Sequence, residues 1–255
     1  MSDFILQNIE LQKFSAWSPF CTEHKQWIDW ALDDTGTALH PWGHNHDSRF
    51  IDFESPKTED TNHLASTPSV SFLPIGMRKK LSPLNKVSLY LMNECLHDDE
   101  DQSRIRIIMS SRFGEEMHTL ELLYAIAFEE PSSPMAFSRS VHNSSIGMFS
   151  ISSGNTQPAT AIAAMDQSFG AGLIEALIQL YGNSNATRVL YLYSDEAIPP
   201  EFKPYISKPP CPYGAAFILK KCSSPPDLSS AFKNLKDISC LDFLGTYIRS
   251  ANSYR

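Results

Sequence analysis

The sequence predicts an α/β fold with a mostly parallel sheet that helices cover on both faces. Short apolar runs, which are typical of buried strands, lie at 105–109, 187–193 and 213–222. Segments with apolar residues at helical spacing alternate with these runs. Strands that alternate with helices indicate parallel pairing, because each crossover helix packs back onto the sheet.

The N-terminal part contains a strand, two helices and a long polar segment. The strand is predicted at 11–19, and a helix capped by Thr22 follows it. Between 35 and 70 the sequence is polar and has no periodicity, so we expect an irregular segment there. Ser82 and Pro83 are then typical of a helix start, with apolar residues at helical spacing behind them.

The remaining elements follow the same reasoning. The strand at 105–109 leads into a helix, and a second apolar helix is predicted at 146–153. A turn rich in Gly, Asn and Pro precedes a small-residue strand at 159–165, and a closing helix is predicted at 237–250. The residues of the first of these helices that we expect to face the core are Leu120, Leu123, Tyr124 and Phe128.

Composition excludes several classes of function. The chain has 255 residues, of which 42% are hydrophobic and 20% charged, as in an ordinary globular protein. The net charge of −8 gives a nucleic-acid partner no electrostatic support. The longest apolar runs are too short to span a bilayer, and the N-terminus lacks the basic and apolar regions of a signal peptide.

The cysteines favour a cytoplasmic location. There are five, an odd number, and no two of them form a CxxC pair. This distribution fits a reducing compartment better than a disulfide framework. The cysteines are Cys21, Cys95, Cys211, Cys222 and Cys240.

Two clusters of polar residues have both a functional and a structural interpretation. The spacing of His40, His44 and His46 could hold a metal, but Pro, Gly and Asn surround them and predict no fixed ligand geometry. No Walker or Rossmann glycine pattern is present, so we expect neither a metal nor a cofactor. The basic cluster Arg78, Lys79 and Lys80 could dock an acidic protein or form a solvated helix start.

Two residues are candidates for catalysis. His142 could act as a base, although a hydrogen-bonded core histidine is the favoured interpretation. Asp166 lies at a predicted corner between strand and helix, where α/β folds place nucleophiles. Its carboxylate could instead cap the helix, stabilising it by roughly 0.5–2 kcal/mol. Backbone N–H groups that hold a carboxylate make it a poor base, so we favour the cap.

The stretch 133–176 resembles the active-site region of β-ketoacyl synthases, the condensing enzymes of fatty-acid and polyketide assembly. In this resemblance Asp166 stands in the column of the catalytic cysteine. The stretches 73–89 and 110–123 resemble the ketosynthase-like chain length factors of bacterial aryl polyene biosynthesis. The residues of the first stretch that carry the similarity are Ser133, Pro134, Asn143, Pro158, the helix at 146–153 and the strand at 159–165.

The resemblance extends from Trp17 to about Lys221 and implies a thiolase-like α/β fold. Residues 1–255 would form a single ketosynthase-like N-terminal domain, with a short C-terminal extension at about 223–255. The chain ends at Arg255, shortly after the first half of a ketosynthase would finish. Apolar faces that a second half would cover are therefore expected to be exposed.

The resemblance implies a subunit that is not an enzyme on its own. Condensing enzymes use a cysteine thiolate and two histidines of their second half, and Asp166 replaces the cysteine here. The implied partner is an active β-ketoacyl synthase in a heterodimer, with the growing chain delivered on acyl carrier protein. This subunit would shape the acyl tunnel and limit chain length during decarboxylative Claisen elongation.

Two alternatives stay open. One is an enzyme, a malonyl-carrier decarboxylase or a hydrolase that uses Asp166. The other is a purely structural scaffold for the ketosynthase.

The resemblance also assigns roles to three groups of residues. Met135, Ala136 and Phe137 would shape the tunnel, and the basic cluster at 78–80 would dock the carrier. The partner would pair through the small-residue strand, whose backbone allows close approach and main-chain hydrogen bonds. The residues of this expected interface are Asn143, Ala159, Thr160, Ala161, Ile162, Ala163, Ala164 and Met165.

Overall fold

The computed structural model describes residues 9–33, 35, 38, 40–41, 67–97, 102–131, 133–182, 185–206, 212–222 and 227–253. The strands are β1 (Glu10–Trp17), β2 (Arg106–Ser110), β3 (Ala159–Ile162), β4 (Arg188–Asp195) and β5 (Tyr213–Lys220). The helices are α1 (His24–Leu32), α2 (Ile75–Arg78), α3 (Pro83–Leu96), α4 (Glu116–Ala127), α5 (Pro134–Ser140), α6 (Ser144–Ser153), α7 (Ser168–Gly182), α8 (Leu228–Leu235) and α9 (Cys240–Ser253). Short 3-10 turns occupy Gln102–Arg104, Met165–Gln167 and Pro200–Tyr205.

The strands form one sheet in the order β1-β5-β4-β2-β3. β2 pairs in parallel with β3 and β4, whereas β5 pairs antiparallel with β4 and β1. The sheet is therefore mixed: β1, β2, β3 and β4 run in one direction, which confirms the mostly parallel sheet that the sequence predicts, and β5 runs in the opposite direction. The described part of the connection from β4 to β5 contains a 3-10 turn, Pro200–Tyr205, and β5 runs opposite to β4.

Two hydrophobic clusters cover the two faces of the sheet. Alternate residues of the central strands belong to different clusters, as the period of two in a strand requires: Leu190 faces α3 and α6, and Tyr191 faces α7. The second cluster lies on the face of the sheet that α7 covers, and Phe169 of α7 belongs to it. The centroid of the Phe169 ring is 5.3 Å from that of Tyr191 and 5.6 Å from that of Phe243.

The C-terminal helices belong to this second core. Ala231 and Leu235 of α8 and Phe243 of α9 are fully buried against α7. A side chain at Gly170 would collide with the backbone carbonyl oxygens of Leu235 and Lys236, so glycine lets α8 approach α7 closely. Helices of the same chain therefore cover the apolar face of α7.

Local signals explain where two of the helices begin. Ser82 Oγ accepts the backbone N–H of Asn85 at 2.9 Å, with Pro83 at the first helical position, as the sequence predicts for α3. The cap of α1 is Glu23, not Thr22. The Gln26 side chain accepts the backbone N–H groups of Thr22 and Glu23, which completes a capping box one residue later than expected.

Helix α4 differs most from its prediction. Leu123, Tyr124 and Phe128 are 52%, 44% and 70% exposed instead of facing the core. Leu120 is half-buried, and the buried residue of this helix is the polar His118. The apolar side of α4 thus lies uncovered by the part of the chain that the structure describes.

Candidate functional site

A strained corner joins β3 to α7. Met165 has a φ of 51°, in the left-handed region that residues other than glycine rarely adopt. Ser168 holds this conformation, since its Oγ accepts the N–H of Ala164 at 2.9 Å and donates to the carbonyl of Met165 at 2.7 Å. Asp166 lies at the apex, with 77% of its side chain exposed. Strain of this kind is concentrated at functional sites.

Arg112 reaches this corner from the end of β2, the parallel neighbour of β3. Its Nη2 lies 2.5 Å from Oδ1 of Asp166, and its side chain is 14% exposed. The guanidinium also stacks on Phe113, with Cζ 4.7 Å from the ring centroid. The positive charge of Arg112 thus balances the negative charge of the Asp166 carboxylate.

The ion pair corrects our interpretation of Asp166 as a helix cap. Among the described residues, no backbone N–H donates to its carboxylate, and Ser168 supplies the side-chain contacts that hold the helix start. The carboxylate binds the Arg112 guanidinium instead, and hydrogen bonds between charged groups are stronger than those to neutral N–H groups.

Asp195 supports Arg112 from the end of β4. Its Oδ1 accepts the Ser111 hydroxyl and the Arg112 backbone N–H, each at 2.7 Å. Its Oδ2 accepts the hydroxyl of Tyr193 at 2.5 Å. Burial raises the pKa of the Asp195 carboxyl, and the hydrogen bonds from Tyr193 and Ser111 oppose the rise. The site is thus built from the ends of three neighbouring strands.

A second polar cluster lies behind the first, where α3, α4 and α6 begin. Glu115 is 2% exposed, and its Oε1 accepts Ser82 Oγ at 2.7 Å, Asn85 Nδ2 at 2.7 Å and Ser144 Oγ at 3.1 Å. Nδ1 of His118 lies 3.3 Å from its Oε2, close enough for an ion pair although without hydrogen-bond geometry. Glu115 thus ties α4 to the two other helices.

The strand expected at the partner interface forms one edge of the sheet. β3 pairs with β2, and within the described residues its other edge has no strand beside it. The strand ends at Ile162, and Ala163 and Ala164 lead into the corner. Asn143 is exposed at the start of α6. Whether a partner pairs with this edge stays a prediction.

Exposed apolar side chains extend over α4, α5 and α6, with α5 in contact with both other helices. We name this region the α4–α6 surface. Two of the expected tunnel residues belong to it, Met135 at 45% and Phe137 at 65% exposed, whereas Ala136 is half-buried. The residues of the α4–α6 surface are Leu123, Ile126, Phe128, Met135, Phe137, Val141 and Ile151.

The basic cluster at 78–80 lies between the end of α2 and the start of α3. Arg78 and Lys79 line an open cavity of about 520 Å³ together with Lys86 and residues 67–71. Lys80 is exposed beside it. Arg78 is the last residue of α2, so the cluster lies at a helix end and not at the helix start that the structural interpretation assumes. Carrier docking by these residues stays a prediction.

The histidines have structural contacts. His142 is half-buried, with Nε2 3.4 Å from the carbonyl oxygen of Ser111, so it packs at the surface and not in the core. The centroid of the His40 ring lies 5.9 Å from that of the Trp30 ring. His44 and His46 lie outside the described residues. Over the described ranges, no three His, Cys, Asp or Glu side chains are grouped closely enough to hold a metal ion.

Sequence reasoning missed Arg112. A signal exists, because Arg112 follows a buried strand, and the carboxyl ends of neighbouring parallel strands meet at one edge of a sheet. What the sequence leaves open is the strand order, which places β2 beside β3. None of the helices in the described part of the chain has the length and apolarity to cross a membrane.

Solved structures show that the fold is thiolase-like and ketosynthase-like. The chain is similar to a chain in the complex of the ketosynthase ApeO with its chain length factor ApeC from Xenorhabdus doucetiae, with 21% identity and a TM-score of 0.70 over 95% of this chain and 92% of that one. The ishigamide ketosynthase/chain length factor is similar with 17% identity and a TM-score of 0.58, and the match covers 86% of this chain and 64% of that one. A chain in the AntDE:AntF complex, in which a type II polyketide acyl carrier protein is bound to its ketosynthase, is similar with 13% identity and a TM-score of 0.55. The match covers 84% of this chain and 63% of that one.

In the second and third comparisons this chain spans less than two thirds of its relative. No curated protein gave a significant match. The sequence model described as beta-ketoacyl synthase, N-terminal domain, matches residues 54–240, which is more than half of the chain. The chain therefore belongs to the family of β-ketoacyl synthase N-terminal domains.

Proposed function

We propose that the chain is a non-catalytic subunit that pairs with an active β-ketoacyl synthase and shapes its acyl tunnel. The observation that carries the proposal is the Arg112–Asp166 ion pair at the corner where the family resemblance places the nucleophile. Condensation requires a thiolate that holds the acyl chain as a thioester. An aspartate would give an anhydride, and its ion pair with Arg112 weakens it further as a nucleophile.

The α4–α6 surface supports a large interface. Large exposed apolar patches mark sites of protein association, and this one carries residues as exposed as Ile126 and Phe128, both at 70%. Within the described residues one edge of β3 has no strand beside it, so its backbone groups are available for pairing. We expect the interface to bury more than ~2,000 Å² in total, as permanent complexes do.

The finer role we propose is that of a chain length factor in aryl polyene elongation. The resemblance of 73–89 and 110–123 to that group supports it, as does the likeness to the ApeO–ApeC complex. The partner would condense the growing chain on acyl carrier protein, and α5 of this subunit would line the far end of the tunnel. The basic residues at 78–80 would attract the carrier, given that carrier docking is largely electrostatic.

One observation favours a second candidate function. The Asp166 side chain is 77% exposed at the strained corner, so a carrier-bound malonyl group or another substrate can reach it for decarboxylation or hydrolysis. A scaffold without influence on the product is the remaining alternative. The three candidates differ in what the isolated chain and the complex do, so one set of measurements separates them.

The test is co-expression with a ketosynthase, followed by size-exclusion chromatography with light scattering and assay of carrier-bound products by mass spectrometry. A stable heterodimer in which both subunits are needed for elongation supports the proposal. Carbon dioxide release from malonylated carrier by the isolated chain would indicate the decarboxylase. A chain that binds no ketosynthase at micromolar concentration contradicts the proposal.

A further inference from the structure

A segment of positive charge lies at 67–93. It contains four cations and neither Asp nor Glu, although the whole chain carries a net charge of −8. Within the described residues none of the four forms an ion pair. Because no carboxylate neutralises them there, they form a surface that attracts anions. The four cations are Arg78, Lys79, Lys80 and Lys86.

Three of these cations line the open cavity of about 520 Å³ beside α2. None of the described residues that line this cavity is acidic. Cationic and hydroxyl groups both donate hydrogen bonds to phosphate oxygens, so the lining suits a phosphate-bearing group. The cationic and hydroxyl residues of the lining are Arg78, Lys79, Lys86, Thr67, Ser69 and Ser71.

Two large apolar side chains are exposed at the same place. Phe72 is 45% exposed, and Ile75, which also lines the cavity, is 63% exposed. Leu73 and Leu81, before and after α2, are buried in the core that α3 covers, so this segment is fixed to the body of the protein. Electrostatic attraction of an acidic carrier accounts for the cations but gives no role to the two exposed apolar side chains.

We propose that this segment docks on an anionic phospholipid bilayer, with Phe72 and Ile75 entering the headgroup region and the cations contacting lipid phosphates. Peripheral proteins bind bilayers through apolar side chains that lie next to Lys and Arg. The strength of binding follows the apolar area that enters the bilayer and the attraction to anionic lipids. We name this region the α2 surface. Its residues are Phe72, Ile75, Arg78, Lys79, Lys80 and Lys86.

The proposed contact is reversible, because two apolar side chains enter the bilayer much less deeply than a spanning helix does. No residue of the α2 surface belongs to the α4–α6 surface, so the chain can contact a bilayer and a protein partner through different residues. The proposal does not depend on the function proposed above.

Sedimentation with lipid vesicles tests the proposal on the full-length chain, together with its ketosynthase if the two purify as a complex. One set of vesicles contains equal parts of phosphatidylcholine and phosphatidylglycerol, and the other contains phosphatidylcholine alone. We expect binding to the anionic vesicles to be at least about tenfold tighter, since each cation near an anionic bilayer contributes about fivefold. Added salt should weaken this binding, because it screens the charges.

Two exposed positions of the α2 surface supply the variants. Lys79→Glu should weaken binding to anionic vesicles about tenfold or more, whereas Lys25→Glu, at a side chain 82% exposed on α1, should leave it nearly unchanged. Ile75→Ser should weaken binding about fivefold without lowering the melting temperature. Ile178→Ser is its control, because Ile178 is 41% exposed on α7.

Three results would overturn the proposal. The first is equal binding to the anionic and the neutral vesicles, and the second is a variant at position 79 or 75 that binds vesicles like its control. The third is binding of an acidic acyl carrier protein without any binding of anionic vesicles, which would assign the cations to the carrier.

Discussion

Nη2 of Arg112 and Oδ1 of Asp166 lie 2.5 Å apart and join the carboxyl ends of two neighbouring parallel strands. The pair neutralises the carboxylate at the corner that follows β3. It also replaces the helix-capping role that the sequence predicts for Asp166. The interaction is long-range in sequence and exists because the sheet order places β2 beside β3.

The first prediction concerns Asp166→Asn. Exposed ion pairs contribute roughly 0.2–1 kcal/mol, so the variant should lose at most about that much stability in thermal unfolding. The ketosynthase complex should retain its condensation rate within a few-fold, because the carboxylate is not the group that holds the acyl chain. A loss of ~1,000-fold in a folded complex, equal to about 4 kcal/mol of barrier, would assign Asp166 to catalysis.

The second prediction concerns the α4–α6 surface. Phe128→Ser removes a large aromatic side chain, 70% exposed here, that we expect a partner to bury. It should weaken the heterodimer about tenfold or more, since buried aromatic anchors dominate interface energy. Phe232→Ser is the matched control, because Phe232 is 58% exposed on α8. Equal affinities of the two variants, measured by light scattering at several dilutions, would place the interface elsewhere.

The third prediction concerns Ala136 and product length. Ala136→Phe adds a ring at a half-buried position of α5, and overpacking typically costs ~1–3 kcal/mol. If the partner's acyl chain reaches this residue, late elongation slows while the first condensation is unaffected. We therefore expect shorter carrier-bound polyenes by mass spectrometry. Ala251→Phe, at an exposed position of α9, should leave the distribution unchanged. An unchanged distribution with Ala136→Phe would exclude measurement of the chain at this position.

The fourth prediction concerns Glu115. Glu115→Ala leaves the buried hydroxyl groups of Ser82 and Ser144 without this acceptor, and each unsatisfied group costs about 1–3 kcal/mol, whereas Asn85 Nδ2 keeps Ser144 Oγ as an acceptor. The variant should unfold at markedly lower denaturant concentration, and α4 should lose protection in hydrogen exchange. Glu116→Ala is the control, since that neighbour is half-exposed. Equal stability of both variants would show that the polar cluster does not hold α4.

The fifth prediction concerns pH. The pKa of Glu196 is raised to about 8, so the folded protein keeps the proton that the unfolded chain releases from about pH 4.5 upward. Stability from this group is complete below that pH and is lost progressively up to about pH 8. Glu196→Gln should therefore melt at least ~5 °C above the wild type at about pH 8.5, and the difference should vanish near pH 4.5. A difference in melting temperature between the variant and the wild type that stays constant over this pH range would contradict the raised pKa of Glu196.

Local structure was largely predictable. The strand expected at 105–109 is β2, and the helix start at Ser82 has the expected cap, because periodicity and capping depend on residues close in sequence. The closing helix expected at 237–250 is α9, in which Leu244 and Ile248 are buried. Periodicity identifies which side chains share a face, but it does not say whether another element covers that face. This is why Leu123 and Phe128 were assigned to the core and lie at the surface.

The sequence by itself determined the alternation of strands and helices, the small-residue strand before the corner, and the position of Asp166 at that corner. Tertiary structure decided the partner of Asp166, the reversed direction of β5 in the sheet, and the burial of the Glu196 carboxyl near Glu115. The reason is physical: helix periodicity and caps arise from contacts within a few residues. An ion pair between two strand ends, or the burial of one carboxyl beside another, depends on which distant segments the sheet brings together.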